Sequence, residues 1–155
     1  MKTRKGILKA YLKIIILILL IIAAIYGIYK VASNSYSKEE FETIKTDLLL
    51  IQVQTEVIAQ KVEIKEKDAK YIGTQVKEKS EDEKIQNLIN NKVIDLESKD
   101  SNLYCLNNED LKQLGLEDIQ TKDYYIVDYK KNDVIYVDGI QNQDGNIVYK
   151  LSEME

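Results

Sequence analysis

The residues best spaced to bind a cation are four oxygen-bearing side chains near the C-terminus. Asn142, Asp144 and Asn146 alternate along the chain, and Asp138 precedes them. Alternating oxygen ligands suggest calcium, but the EF-hand pattern also needs a terminal Glu in a fixed 12-residue frame, which is absent here. Asn, Asp and Gly are also the usual residues of tight turns, so turn formation explains the segment without a metal. We therefore predict no metal site.

The composition excludes the common catalytic centres. The 155 residues contain no His, no Pro and no Trp, and eleven Tyr against one Phe. Without His, neither Ser-His nor Cys-His pairs nor histidine metal sites can form. The acidic pairs Asp82-Glu83 and Glu109-Asp110 fit helix starts, where negative charge is favourable. We predict no catalytic residue, no cofactor and no enzymatic activity.

Cys105 is the single cysteine, so an intramolecular disulfide cannot form. Its neighbours in Leu103-Tyr104-Cys105-Leu106 are apolar, which favours a small buried residue. A bond between two chains remains the alternative.

The N-terminal segment has the strongest pattern in the chain. Residues 14–29 carry no charge, only cations precede them, and no acidic residue occurs before Glu39. This pattern predicts a basic cytoplasmic tail over residues 1–13 and a transmembrane helix over residues 14–32. By the positive-inside rule the N-terminus is cytoplasmic and the rest is extracytoplasmic, as in a single-pass protein of the cell membrane. The alternatives are a signal peptide cleaved near Ser33 and a buried helix of a soluble protein.

The charge balance of the remainder bears on its partners. Six of the 22 basic residues lie within residues 1–35, which leaves 16 basic residues against all 26 acidic ones. A nucleic-acid partner requires clustered cations, so we exclude it. The expected partners are the lipid bilayer and other envelope protein subunits.

Residues 33–79 are predicted to form one amphipathic helix. Ser37 and Glu40 form a capping box at its start, and Gly73 marks its end or a break. Apolar residues then recur every three or four positions at Phe41, Ile44, Leu48, Ile51, Thr55, Ile58 and Val62. Further apolar residues widen this stripe, namely Leu49, Leu50, Val53, Val57 and Ile64. A wide stripe favours a helix lying on a sheet or on several helices over a two-stranded coiled coil.

Residues 80–155 are predicted to be an exported α+β region packed on that helix. Capping boxes at Ser80–Glu83 and Asn107–Asp110 begin two short helices, the second ending at Gly115. The sequence then becomes rich in β-formers at residues 124–129, 134–137 and 147–151, which indicates an antiparallel meander. The predicted fold is thus α+β, with a long N-terminal helix packed on a small three-stranded antiparallel sheet.

This order of elements resembles a type IV pilin or pseudopilin. Lys5-Gly6 is similar to the end of a prepilin leader, and residues 103–115, 124–129 and 134–139 are similar to the C-terminal part of divergent pilin-like proteins from low-GC Gram-positive bacteria. The family places Phe directly after the leader Gly and Glu four positions later, where this chain has Ile7 and Tyr11. The resemblance implies a structural or accessory subunit of an envelope or type II secretion apparatus. The departures imply a protein that stays anchored and is not the major subunit of a fibre.

Two other functions fit the same sequence. An extracytoplasmic binding or sensing module would present its tyrosines as an exposed concave patch. A bitopic division-type protein would continue from its membrane helix into a parallel coiled coil.

Overall fold

The computed structural model describes Leu19, Ile22, Ala23 and residues 38–154. The chain divides into two compact units, Met1–Glu39 and Glu40–Glu155. The predicted tail over residues 1–13 and the capping residue Ser37 lie outside the described residues. So does most of the predicted membrane segment, residues 14–32.

Among the described residues, no helix is both long and apolar enough to cross a bilayer. This finding corrects the prediction of a transmembrane helix for the residues that the structure describes. Of the segment concerned, only Leu19, Ile22 and Ala23 are described, and all three are helical.

Helix α1 covers residues 38–63, and its apolar stripe packs on the sheet. We call the seven residues Phe41, Ile44, Leu48, Ile51, Thr55, Ile58 and Val62 the inner stripe; four of them are fully buried and three are partly buried. Thr55 is tolerated there because its hydroxyl donates to the Ile51 carbonyl at 2.8 Å. Ile51 has no exposed surface, as its mid-stripe position predicts, whereas Ile58 is only partly buried.

The predicted extent of this helix is wrong, because it stops at residue 63 rather than near Gly73 or residue 79. Lys65 adopts a left-handed φ of 55°. The Glu66 amide then donates to the Lys61 carbonyl at 3.0 Å, and the Lys65 amide to the Val62 carbonyl at 3.1 Å. This is a Schellman ending with Lys in the position that Gly usually takes, so the sequence shows no stop signal.

The sheet has five antiparallel strands in chain order, so the prediction of three strands is wrong. The strands are β1 Thr74–Gln75, β2 Leu103–Leu106, β3 Tyr125–Asp128, β4 Asp133–Gln141 and β5 Ile147–Lys150. The last three correspond to the predicted meander, and β1 and β2 extend it. Gly73 does not end a helix: it precedes β1 with φ 105°, at a place where a Cβ would lie 2.5 Å from the Cys105 carbonyl oxygen.

Two short helices and two 3-10 turns complete the part of the chain that the structure describes. They are α2 Glu83–Asn90, α3 Asn108–Gln113, and the 3-10 turns Val76–Lys79 and Leu151–Glu153. The capping box predicted at Asn107 and Asp110 is confirmed. The one predicted at Ser80 is wrong, because Asp82 caps α2 by accepting from the Lys84 and Ile85 amides.

The sheet is covered on both faces. On one side α1 and α3 pack against residues such as Tyr125 and Val127. On the other side Ile85 and Leu88 of α2 pack against Ile126 of the same strand. All four residues of β3 are therefore buried, and burial on both faces explains why the first three form an uninterrupted apolar run.

Candidate interaction surface

The largest group of exposed apolar side chains in the Glu40–Glu155 unit lies on α1, opposite the sheet. Leu49, Leu50, Val53 and Val57, which we call the outer face, are 43%, 47%, 55% and 43% exposed. At 100° per residue, Val53 is turned 200° from Ile51, so the outer face points away from the inner stripe. The stretch from Leu48 to Thr55 also carries no charge. Neighbouring apolar residues left exposed in this way are typical of interaction sites.

Hydrogen bonds at two points fix the orientation of α1 on the sheet. The Lys45 ammonium donates to the Met154 carbonyl at 2.6 Å. The Gln52 amide donates to the Asn132 carbonyl, in the β3–β4 turn, at 2.7 Å. Together with the buried inner stripe, these contacts hold the outer face in one direction, so a partner would meet a preformed surface.

The prediction that the four outer-face residues meet the sheet is wrong. The pattern predicts that Leu49, Leu50, Val53 and Val57 widen the stripe that meets the sheet, but the structure leaves them exposed. Their angular positions are the signal that was missed, since two stripes on opposite sides of a helix look like one wide stripe in a linear sequence.

The tyrosines do not form an exposed platform among the described residues. The seven described tyrosines are buried or half-buried, at positions 71, 104, 124, 125, 129, 136 and 149. Tyr71, Tyr104 and Tyr129 pack together, with ring centroids 4.6 to 5.5 Å apart. The Tyr129 hydroxyl also donates to the Ile72 carbonyl at 2.9 Å. These rings connect the loop after α1 to the sheet rather than presenting a surface for a ligand.

Asn142, Asp144 and Asn146 form a turn, as their residue types predict. The Asn142 side-chain oxygen accepts from the Asp144 and Asn146 amides, each at 3.0 Å. Asp138 lies beside the Lys84 ammonium at 2.5 Å, and Asp123 contacts the same ammonium. The hydrogen bonds that the ammonium donates to these two carboxylates raise the pKa of Lys84. The described residues contain no group of three or more Cys, Asp or Glu side chains able to hold a metal ion.

Asp82, the residue that precedes α2, also serves the fold. The Tyr124 hydroxyl donates to the Asp82 carboxylate at 2.6 Å. This hydrogen bond, helped by the capped amides of α2, lowers the pKa of Asp82, while burial raises the pKa of Tyr124. Asp82 is therefore held as an anion at the start of α2, where the helix dipole favours negative charge.

A polar cleft of about 260 Å³ lies beside the loop over residues 91–102. Its wall includes Asp128, which is 4% exposed and accepts from the backbone amides of Asn102, Lys130 and Lys131. Asp133, also in the wall, accepts from the Ser152 hydroxyl at 2.7 Å. Because these carboxylates already bind the protein's own loops, the cleft is a consequence of turn formation and we assign it no ligand.

Cys105 is buried in the core on the α2 side, as predicted, with 2% of its surface exposed. Burial raises the pKa of its thiol to about 11. The thiolate is the reactive form of cysteine, so this side chain is inert at neutral pH.

No family model matches this chain, and neither a curated protein nor a solved structure is significantly similar to it.

Proposed function

We propose that this protein is a structural or accessory subunit of an assembly in the cell envelope, pilin-like in the order of its elements. Its N-terminal sequence holds it at the membrane, and the unit that begins at Glu40 lies on the extracytoplasmic side. The observation that carries the proposal is the outer face: a preformed apolar surface on α1, the helix that follows the apolar N-terminal segment.

The N-terminal charges support the location. The apolar segment is preceded by cations only, which is the asymmetry that keeps an N-terminus in the cytoplasm. The remainder of the chain is acidic and contains no His, which argues against nucleic-acid binding and against histidine-dependent catalysis.

The location is tested with the full chain carrying a C-terminal tag in living cells. We expect the tag in the membrane fraction, resistant to alkaline carbonate, and destroyed by protease added to intact cells. A chain that lacks residues 1–36 is the control and should leave the membrane fraction. Recovery of the full chain in the soluble cytoplasmic fraction would contradict the proposal.

The role as a subunit is tested by treating native membranes with a lysine-reactive crosslinker before denaturing electrophoresis. We expect the wild-type chain to migrate as an assembly larger than one copy. Val53→Asp, on the outer face, should shift it to the monomer position because a charge in an apolar contact is costly. Asn90→Asp is the matched control, since Asn90 is exposed on α2 at the opposite side of the sheet. A wild-type chain that migrates only as a monomer would contradict the role as a subunit.

A further inference from the structure

The outer face of α1 is part of a longer row of exposed residues along one side of the helix, which we call the seam. Exposed residues follow a three-four spacing at Leu50, Val53, Val57, Gln60 and Ile64. This spacing averages 3.5 residues, the period with which one helix faces another in a two-stranded coiled coil. The inner stripe is already occupied by the sheet, so a second helix can reach α1 only at this seam.

Exposed charges of opposite sign flank the two sides of the seam. Glu56 lies on the side of the seam that also carries Glu63, and Lys61 lies on the other side. In a parallel pair of helices, such flanking positions meet when they are five residues apart, which is the separation of Glu56 and Lys61. Among the described residues, the Glu56 carboxylate accepts two long hydrogen bonds, at 3.4 Å from Gln60 and at 3.4 Å from Asn132.

We infer that the outer face binds the same face of a second copy of this chain, with the two α1 helices parallel. Glu56 of each copy then meets Lys61 of the other, so the pair contains two equivalent ion pairs. This inference rests on the proposed function and specifies the partner of the same surface.

Two observations select the parallel order. In an antiparallel pair the flank with Glu56 and Glu63 would face its own copy, and like charges would meet. In addition, residues 1–37 precede α1 in both copies, so the parallel order places both N-terminal segments at the same end of the pair. Two chains held by one membrane can associate in that order.

The seam does not extend to the start of α1. Glu42 and Asp47 have the same five-residue separation but carry like charges. Asp47 is half-buried, and it acts electrostatically on Tyr125 of the sheet. The seam therefore begins after Asp47, with Leu49 and Leu50.

The contact is small, so its strength depends on confinement. Four outer-face residues cannot provide the roughly 1,200 Å² or more that a stable interface in solution buries. Attachment to one membrane raises the effective concentration of the second copy and compensates for the small area. The test consequently uses the full chain in membranes.

Disulfide crosslinking tests the pairing. The native Cys105 is buried and gives no background. Membranes that contain the full chain with Val53→Cys are treated with a copper-phenanthroline oxidant and run on non-reducing gels. We expect a band at twice the chain mass, at least about five-fold stronger than for the control Asn90→Cys, because seam positions bring the two sulfurs together. Equal yields from the two variants, or a product of another mass, would overturn the inference.

Charge reversal tests the register. In the Val53→Cys background, Glu56→Lys or Lys61→Glu alone should lower the dimer yield about five-fold, since each replaces both attractions by repulsions. The double variant Glu56→Lys/Lys61→Glu exchanges the partners and should restore the yield. A dimer yield for the double variant as low as those of the single variants would overturn the parallel register.

The crosslinking tests and the test of location can fail independently of each other. A chain found in the cytoplasm whose Val53→Cys variant still crosslinks would contradict the proposed function and leave the pairing supported. A chain located at the membrane that gives no crosslink would overturn the pairing alone.

Discussion

The inner and outer faces of α1 use the same kinds of side chain but differ in what covers them. Leu48 and Ile51 on the inner face have no exposed surface, whereas Leu50 and Val53 on the outer face are about half exposed. Leucine and isoleucine or valine occur on both sides within six residues. Hydrophobicity alone thus does not separate core from interaction surface; the angle around the helix and the position of the sheet decide it.

The largest expected difference between the faces is in the stability of the folded chain. Ile51→Ala should lower the free energy of unfolding by about 2–5 kcal/mol, because it leaves a cavity between α1 and the sheet. Chemical denaturation of the purified full chain, followed by circular dichroism, measures this change. A loss below about 1 kcal/mol would mean that α1 is only loosely packed.

High pH should also lower the stability of the packing between the inner stripe and the sheet. Burial is the main cause that raises the pKa of Tyr125 from 10 to about 12, and the negative charge of Asp47 on α1 adds to it. Because the folded pKa is raised, this stabilisation is complete below pH 10 and is lost as the pH rises toward 12. Between pH 9 and pH 11, the free energy of unfolding should fall less for Tyr125→Phe than for the wild-type chain. Denaturation of both chains at the two pH values measures this difference. An identical loss in both chains would show that Tyr125 is not responsible.

A substitution at the end of α1 should change the stability of the fold by an intermediate amount. Lys65 has a left-handed φ of 55°, which costs a non-glycine residue energy, so Lys65→Gly should stabilise the fold by up to about 1 kcal/mol. The matched change Gln54→Gly, at an exposed position inside the helix, should destabilise it by about 1 kcal/mol. Thermal unfolding of the two variants should therefore shift in opposite directions. If both shift downward, residue 65 does not end the helix as the structure shows.

The smallest expected effect belongs to the outer face. Val53→Ala should change the stability of the detergent-solubilised monomer by no more than about 0.5 kcal/mol, because the side chain is already exposed. Denaturation under the conditions used for Ile51→Ala gives a direct comparison. A loss similar to that of Ile51→Ala would place Val53 in the core and abolish the distinction between the two faces.

The three-four periodicity correctly predicted the seven residues of the inner stripe, and β-former content predicted the last three strands. The first two strands were missed for different reasons: β1 has only two residues, and the apolar run of β2 at Leu103–Leu106 is too short to be distinguished from other buried segments. The end of α1 was missed because Lys65 occupies a position where Gly is the usual signal.

The candidate surface could have been predicted in part. The sequence contains the three-four spacing of Leu50, Val53 and Val57, but it does not show which of two opposite stripes a sheet will cover. That choice depends on contacts far apart in the chain, such as Gln52 with the Asn132 carbonyl. Helix periodicity is local, whereas burial is decided by tertiary packing.

The most direct test of the two-face account is the reactivity of single cysteines on α1 toward a maleimide reagent. In native membranes, Val53→Cys should react slowly because a second copy covers it, and rapidly after detergent separates the chains. Ile51→Cys should be unreactive in both conditions, since the sheet covers that position in every copy. If Val53→Cys reacts equally fast before and after detergent, the outer face is free in the membrane and the account is contradicted.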